Sequence, residues 1–348
     1  MARLSEFYLP NPTTGAQEKH HFETELQQLE DMTSFAQTLN KKGDAASMRS
    51  HIGAAANTNA TTTAAGLMTA ADKVKADAVV HSAEAHNGIF RGKDLTSYFN
   101  GGQMSTDIAN GKFDDIYIGD FITKTVNLPA ITYTDKAGTE KTQAAQTFAN
   151  AKFYIAGINS HLKAGDGSGT TANHVVLISA NALQRNVSMN PTNDATGGYI
   201  GSDMWRIHMP NWSAAIKAAF GESHVLKYRD YLSNAISDTA PSGAGHGWLG
   251  SVTNWAAVDV EVNIPNEPMV YGTKAYSSSA ADIGTWPQQL PLFAHKQYIG
   301  GDDRSWFWLR AVASASQFAY AGGYGAAAVY GASHAGANGG ISPFFLLR

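Results

Sequence analysis

The sequence contains no cysteine, which excludes disulfide bonds, thiolate zinc sites and cysteine nucleophiles. Charged side chains make up only 16% of the 348 residues, against about a quarter in an average soluble protein. The formal net charge is −4 and no basic block occurs, so nucleic acid is not expected as a partner. No run of eighteen apolar residues is present, and the start of the chain lacks the apolar core of a signal peptide. We therefore expect a globular protein that is made in a cytosol and does not insert into a membrane.

The first ninety residues differ from the rest of the chain in composition and in residue pattern. Residues 1–15 are predicted to be loop-like because Pro10 and Pro12 interrupt them. From about Gln17 to Asn40, apolar residues recur every three or four positions, which predicts an amphipathic helix. The apolar positions are Phe22, Leu26, Leu29, Met32, Phe35 and Leu39. This stripe suits either a short coiled coil or a helix packed on its own domain. The Thr/Ala-rich residues 53–72 cannot form a core alone, which indicates a linker or a strand completed by neighbouring subunits.

From about residue 91 to residue 348, the sequence predicts a loop-rich α+β domain. Alternating or apolar segments predict strands within residues 113–126, 152–159, 174–180, 225–233, 258–265, 305–312 and 341–348. One helix is predicted over residues 202–221, with Ser202 as its N-cap. Its apolar stripe consists of Met204, Ile207, Ile216 and Phe220. The mixture of strands with few helices places the chain in the α+β class.

Signals for catalysis or metal binding are weak. The segment "GDGSG" (165–169) resembles the start of a calcium loop, but the twelfth position from Asp166 is Leu177, where a Glu is required. A Gly-rich turn is the better interpretation. Asp302 and Asp303 could pair for acid–base chemistry, but Gly-Gly-Asp-Asp is typical of a turn. The sequence also lacks an H-E-x-x-H motif, a P-loop and a nucleophile elbow.

The last forty residues have aromatic-rich ends and a middle with few large side chains. "SWFWLRAV" (305–312) and "ISPFFLLR" (341–348) are typical of core strands, whereas residues 318–340 are mostly Ala, Gly, Tyr and Ser. Such a middle could be a flexible low-complexity tail. A free tail would not end in the apolar "SPFFLLR", which requires burial. The composition therefore favours a replaceable surface segment that need not pack, held between two core strands.

The motifs of this region resemble those of the variable proteins of diversity-generating retroelements, a family that includes the phage major tropism determinant. "WLR" occupies Trp308–Arg310 and "SASQF" occupies Ser314–Phe318. Gly325 matches the fixed glycine of the family's template, and Ala332-Ser333 match its Ala-Ser pair. In that family the adenines of AAC codons are randomised, and such codons cannot become Lys, Gln, Glu, Met or Trp. These five types make up 54 of the 348 residues, yet none occurs within residues 318–341.

The resemblance implies a C-type-lectin-like domain over residues 91–348, with a variable region at about 318–341. Aligned with the template, twelve positions would vary: Tyr320, Gly322, Gly323, Tyr324, Ala326, Ala328, Val329, Tyr330, Gly331, His334, Gly336 and Asn338. Tyr320, Tyr324, Tyr330 and His334 are expected to make the contacts, in a background of small residues that clears space around them. Tyrosine offers a large, rigid contact area at low entropic cost.

Other segments, such as "TTTAAGLMTAADKVKAD" (61–77) and "SHVLKYRDYLSNA" (223–235), resemble fibre proteins of phages that infect gut-type Gram-positive bacteria. The resemblance implies a homotrimeric tail or head fibre located in the virion. Residues 1–50 would attach it to other virion proteins, and residues 51–90 would form a fibre linker. The C-terminal domain would bind a protein or glycan receptor on the bacterial surface, without a cofactor or a metal.

Two alternatives to this adhesive function stay open. The first is a fibre-borne glycan hydrolase that uses Asp302, Asp303 or Glu267 as its acids. The second is a virion decoration protein whose variable face binds nothing.

Overall fold

The computed structural model describes residues 7–10, 14, 17–20, 41, 43–44, 46–48, 68–81, 83–236, 252–276, 289–295, 304–336 and 339–348. The strands are β1 (Phe7–Pro10), β2 (Gln17–His20), β3 (Phe121–Leu128), β4 (Ile131–Thr134), β5 (Glu140–Gln143), β6 (Gln146–Ile158), β7 (Val175–Ser179), β8 (Gln184–Arg185), β9 (Val225–Leu226), β10 (Tyr228–Ile236), β11 (Val252–Val260), β12 (Val262–Asn263), β13 (Trp306–Ser314), β14 (Gln317–Ala321), β15 (Ala327–Gly331), β16 (Gly339–Ile341) and β17 (Phe344–Leu347). The helices are α1 (Ala70–His81), α2 (Ala83–Asn87), α3 (Thr96–Asn100), α4 (Gln103–Ala109), α5 (Met209–Phe220), α6 (Glu267–Tyr271) and α7 (Pro291–His295).

The chain divides into two units, Met1–Ala78 and Val79–Arg348. In the first unit, β1 and β2 form an antiparallel hairpin in which Phe7 pairs with His20. The predictions of a loop over residues 1–15 and of a helix from Gln17 are therefore wrong for these two strands, because backbone pairing holds both of them extended. The apolar stripe from Phe22 to Leu39 and residues 53–67 of the Thr/Ala-rich stretch lie outside the described residues.

The second unit contains a six-stranded antiparallel sheet in the order β12–β17–β7–β6–β3, with β9 also paired to β17. Every residue of β7 and β17 is buried, which explains why both read as continuous apolar runs. Helix α5 packs on this sheet through Phe220, whose ring lies 5.2 Å from that of Phe153 and 4.9 Å from that of Phe345. These rings join the helix and the sheet in one core.

Helix α5 continues a π-helical segment, Met204–His208, so the helix predicted for residues 202–221 is present. The predicted N-cap is also present, since the Ser202 hydroxyl accepts the Trp205 N–H at 3.2 Å. Of the predicted stripe, Met204, Ile216 and Phe220 are fully buried. The periodicity of the sequence therefore identified the buried face of this helix.

A second sheet of five strands has the order β15–β14–β13–β16–β8, in which β13 and β16 are parallel and the other pairs antiparallel. All nine residues of β13 are buried. Two of the strands, β15 and all of β14 except Gln317, lie within the Ala/Gly-rich segment that the sequence predicted to be a non-packing connection. Their backbones pair because β13 offers β14 a partner edge.

The described residues confirm a mixed α+β fold with sheets and few helices. The strand predicted for residues 113–126 begins only at Phe121. Before it, the fully buried Asp120 carboxylate accepts the backbone N–H groups of Lys93 and Tyr117, each at 2.8 Å, and a salt bridge from Arg91. These hydrogen bonds hold residues 113–120 in a loop, although their apolar alternation suits a strand.

Candidate functional site

The C-terminal hairpin of β14 and β15 is built on β13, which core contacts hold in place. Trp308 of β13 is fully buried, and its Nε1–H donates to the Val187 carbonyl at 2.8 Å. Trp308 pairs with Tyr320 of β14, and Phe318 of β14 pairs with Tyr330 of β15. Because side chains alternate across a strand and paired residues face the same side, these four aromatic residues share one face of the sheet.

Three of the four predicted contact residues stack on one another. The rings of Tyr320 and Tyr330 are parallel with their centroids 4.1 Å apart, and His334 stacks on Tyr330 at 3.7 Å. The ring of Trp306 lies at an angle to all three, at 5.4 to 5.5 Å. Each such ring pair stabilises the arrangement by about 0.5–1.5 kcal/mol beyond the area it buries. The three rings therefore hold one another in place. The open space that the sequence predicted around each contact ring is absent for Tyr320, Tyr330 and His334.

The tip of the hairpin is a tight turn that carries the fourth predicted contact residue. The Gly322 N–H donates to the Ala326 carbonyl at 2.7 Å, and the Gly325 N–H donates to the Gly322 carbonyl at 2.8 Å. Gly325 has a φ of +82°, which glycine adopts without strain. Tyr324 is 82% exposed, and the Arg304 guanidinium carbon lies 5.1 Å from its ring centroid. The turn thus presents one protruding ring.

The chain leaving β15 is held by a second set of hydrogen bonds. Ala332 is fully buried, donates its N–H to the Ser316 carbonyl at 2.8 Å, and accepts the Asn190 N–H at 2.9 Å. Ser333 donates from its backbone N–H and from its hydroxyl to Asn193 Oδ1, at 3.0 and 2.7 Å. The Ala-Ser pair therefore fixes the loop that follows the hairpin.

The buried residues of the hairpin segment lie at positions that are not predicted to vary. Asn338 lies outside the described residues. The other eleven are all partly or fully exposed: Tyr320, Gly322, Gly323, Tyr324, Ala326, Ala328, Val329, Tyr330, Gly331, His334 and Gly336. The four buried residues of the described segment 318–336 all occupy positions predicted to be constant: Phe318, Ala319, Ala321 and Ala332. The segment therefore packs against the core at its constant positions, contrary to the expectation that its residues need not pack.

We expect Gly323→Ala to lower the free energy of unfolding by about 1–3 kcal/mol, the usual cost of overpacking. A Cβ at this position would lie 1.8 Å from the Arg304 carbonyl oxygen, so the backbone would have to move. Urea denaturation measures the change, and Ala326→Ser, at an exposed position of the same turn, is the matched control with a change under about 0.5 kcal/mol. Equal unfolding midpoints for the two variants would contradict this geometry.

The "WLR" motif contains a buried ion pair that sequence reasoning missed. Arg310 is 2% exposed and donates to both carboxylate oxygens of Asp230 on β10, with Nη2 3.1 Å from Oδ1. Asp230 is fully buried, and this burial raises the pKa of its carboxyl, although the Arg310 charge opposes the shift. Charge-assisted bidentate pairs of this kind are strong and geometrically specific. The only local signal is an arginine within the apolar run "WFWLRAVAS" of β13.

The carboxylates considered for hydrolysis do not assemble a catalytic pair among the described residues. Asp302 and Asp303 lie outside them. Glu267 is fully buried, and its carboxylate accepts the backbone N–H groups of Ala275 at 3.2 Å and Tyr276 at 3.0 Å. Within the described part of the chain, no group of three or more His, Asp or Glu side chains lies close enough together to hold a metal ion.

The turn that resembles a calcium loop is closed by its own hydrogen bonds. The Asp166 carboxylate accepts the Ser168 backbone N–H at 3.0 Å and the Arg229 Nε–H at 3.2 Å. Ser168, followed by Arg229, lowers the pKa of this carboxyl. The predicted Gly-rich turn is therefore present at residues 165–169.

A groove of about 580 Å³ lies between α5 and the strands β11 and β12, away from the hairpin. Its walls include Trp205, Lys217 and Glu261. The Lys217 ammonium contacts the carboxylates of Glu222 at 3.0 Å and Glu261 at 3.3 Å. The charges of Lys217 and Glu261 are thus engaged within the protein, and none of the predicted contact residues lines the groove.

Comparison of the chain with protein-family models, with curated proteins and with solved structures gives no significant match. No helix in the described residues is long and apolar enough to cross a membrane.

Proposed function

We propose that the protein is a phage receptor-binding fibre protein whose C-terminal hairpin is a variable adhesive surface. One observation carries the proposal: none of the eleven described positions predicted to vary is buried, and every buried residue between 318 and 336 is predicted to be constant. Large-to-small changes at buried positions cost about 2–5 kcal/mol. Surface changes usually stay within about 0.5 kcal/mol. A protein that diversifies a segment without losing its fold needs such tolerant positions; Gly323 and Gly331 are exceptions, because an added Cβ would lie 1.8 Å from the Arg304 carbonyl oxygen and 2.3 Å from Asn193 Oδ1.

The positions of the motif that are predicted to be constant also have structural roles that other side chains would disrupt. Gly325 is the residue of the hairpin whose positive φ favours glycine, and it coincides with the fixed glycine of the resemblance. The residues flanking the variable positions are buried: Trp308, Leu309, Arg310, Ser314 and Phe318. These residues support the hairpin, whereas Tyr320, Tyr324, Tyr330 and His334 supply aromatic area for contact.

The proposal also includes the domain type and the oligomeric state of the fibre. The domain that carries the hairpin would be C-type-lectin-like, and the N-terminal region would attach to other virion proteins and form a homotrimer in a tail or head fibre. Three copies of a weak site, held at one tip, bind far more tightly than one copy because the second and third contacts become intramolecular. The partner would be a protein or glycan receptor on the bacterial surface.

The two alternatives predict different features at the hairpin. A fibre-borne hydrolase needs carboxylates that reach a substrate, whereas the Glu267 carboxylate is buried against backbone N–H groups. An inert decoration protein has no need of a protruding, 82% exposed Tyr324. The described residues therefore favour adhesion over both alternatives.

The proposal is tested by the binding of fluorescently labelled full-length protein to a panel of gut Gram-positive strains. Alanine at Tyr320, Tyr324, Tyr330 and His334 together is expected to abolish binding, since truncating an anchor residue costs about 2 kcal/mol. A second variant, with Asp302 and Asp303 both changed to Asn, should bind as the parent does and reveal no loss of sugar release relative to the parent.

Melting curves of both variants check that the fold persists. Binding by the quadruple alanine variant together with failure of the double Asn variant would overturn the adhesive proposal and favour the hydrolase.

A further inference from the structure

Gly331 of the hairpin lies against the side chain of Asn193, a residue outside the segment predicted to vary. Asn193 Oδ1 accepts the Ser333 backbone N–H at 3.0 Å and the Ser333 hydroxyl at 2.7 Å. A Cβ added at Gly331 would lie 2.3 Å from this same oxygen and 2.9 Å from Asn193 Nδ2. The Asn193 amide therefore fills the space that any side chain at position 331 would need.

The backbone on both sides of Asn193 is fixed, so its side chain is the part that can move. The Asn190 N–H donates to the Ala332 carbonyl at 2.9 Å, and the Ala195 N–H donates to the Ala315 carbonyl at 2.9 Å. Asn193 itself is exposed, and rotation about its side-chain bonds carries the amide into solvent. A side chain at position 331 would therefore displace the Asn193 amide and leave the loop backbone in place.

Gly323 differs from Gly331, because the atom that blocks a side chain there belongs to the backbone. A Cβ at Gly323 would lie 1.8 Å from the Arg304 carbonyl oxygen. A backbone carbonyl has no rotamer that moves it away. Position 331 can thus accept a side chain at the cost of the two hydrogen bonds between Asn193 and Ser333, whereas position 323 requires a shift of the main chain.

The Asn193 hydrogen bonds end one residue before His334, which is a predicted contact residue. The His334 N–H donates to the Gly331 carbonyl at 2.9 Å and closes a four-residue turn. Ser333 is the third residue of this turn, so its two bonds to Asn193 fix the direction in which the chain reaches His334. The ring of His334 then stacks on that of Tyr330 at 3.7 Å. The position of the His334 ring therefore depends on a side chain that lies outside the hairpin.

We propose that Asn193 is a positioning residue of the adhesive surface, and that the residue at position 331 decides whether it can act. With glycine at 331, the Asn193 amide binds Ser333 and keeps His334 on Tyr330. With a larger residue at 331, the amide is displaced, Ser333 is released, and His334 is free to adopt other orientations. The inference rests on the adhesive function proposed above. It makes position 331 a determinant of the shape of the surface as well as one of its side chains.

Hydrogen exchange of the full-length protein, measured by mass spectrometry, tests the contact without a receptor. Asn193→Ala and Gly331→Ala are each expected to speed exchange of the Ser333 and His334 amides about tenfold, because each variant breaks the hydrogen bonds that order the turn. The double variant should exchange no faster than either single variant, because both changes act on one contact.

Two further variants serve as controls for the exchange measurement. Asn193→Asp keeps an oxygen that accepts hydrogen bonds from Ser333, so exchange should be as slow as in the parent. Ala326→Ser changes an exposed position at the hairpin tip and should leave the turn unaffected.

Binding to a bacterial strain that captures the parent protein tests the consequence for adhesion. Asn193→Ala is expected to weaken binding about two- to tenfold, the loss that corresponds to ordering one free side chain in the complex. In a protein that already carries His334→Ala, the same change should cause no further loss, because Asn193 acts through that ring. Asn193→Asp should restore binding, and a merely structural role would not make the effect depend on His334.

The results that would overturn the inference differ from those that would overturn the adhesive function. Unchanged exchange in either single variant, or effects that add in the double variant, would show that Asn193 and Gly331 do not share one contact. Equal binding by the parent and Asn193→Ala, or a further loss in the His334→Ala protein, would show that the contact does not position the ring. A parent protein that binds no strain would reject the adhesive function, and the inference with it.

Discussion

Replacing Arg310 with alanine is expected to lower the free energy of unfolding by about 3–5 kcal/mol, because it leaves the Asp230 carboxylate buried without its counter-charge. Asp230 is fully buried and Arg310 is 2% exposed, so water cannot replace the lost partner. The pair also joins β10 to β13, the strand from which the C-terminal hairpin extends. The loss is measured from urea denaturation midpoints at neutral pH.

Two further variants distinguish the buried charge from the loss of side-chain volume. Arg310→Met combined with Asp230→Leu removes both charges at similar volume and is expected to recover most of the stability. Arg229→Ala, which breaks exposed ion pairs with Asp166 and Asp259, should change the midpoint little. If the Arg310→Ala variant were as stable as the Arg229→Ala variant, the Arg310–Asp230 pair would contribute nothing to the free energy of unfolding.

Mild acid is expected to destabilise the protein by roughly 4 kcal/mol between pH 7.5 and pH 5.5, because three buried histidines resist protonation. Burial lowers the pKa of His174 and of His208 to about 4, from an ordinary value of 6.5. Burial, with the nearby His174 and Arg310, lowers the pKa of His161 well below that value. The contribution of these histidines to the free energy of unfolding is fully present above pH 6.5 and is lost as the pH falls from there toward 4. The reason is that the unfolded chain takes up protons that the folded chain does not.

His161 offers a variant that isolates one of these protons. Both of its ring nitrogens are buried without a hydrogen-bond partner, between Tyr228 and Phe344. Phenylalanine at position 161 therefore removes the free-energy cost of burying two unpaired ring nitrogens and keeps an aromatic ring in their place. His161→Phe should reduce the loss between the two pH values by about a third, or about 1.4 kcal/mol. A pH dependence identical to that of the parent would show that His161 takes no part in it.

Local patterns in the sequence predicted the elements that bury a regular stripe or run. The stripe of α5 and the apolar runs of β7 and β17 follow from helical and sheet periodicity alone. The strand at Gln17–His20 was missed because all four residues are polar, and their conformation depends on pairing with β1. The hairpin strands were missed for a similar reason, since Ala and Gly have low strand propensity and Ala319 and Ala321 are buried by tertiary packing.

The candidate site was predictable only where its residues are close in sequence. The positions predicted to vary all lie in one continuous motif. Arg310 and Asp230 are 80 residues apart, and no local pattern connects them. Long-range partnerships of this kind depend on the fold, and a single sequence does not record them.

The stacked rings of Tyr320, Tyr330 and His334 have a kinetic consequence for any partner. Ordering a free side chain on binding costs about 0.5–1.5 kcal/mol. These three side chains are ordered during folding instead, since each lies face to face with its neighbour. The hairpin therefore meets a partner as a rigid body, and association rates should remain within the common range of about 10⁵–10⁷ M⁻¹s⁻¹. Changes at the exposed positions around the stacked rings should then act mainly on the dissociation rate of the complex.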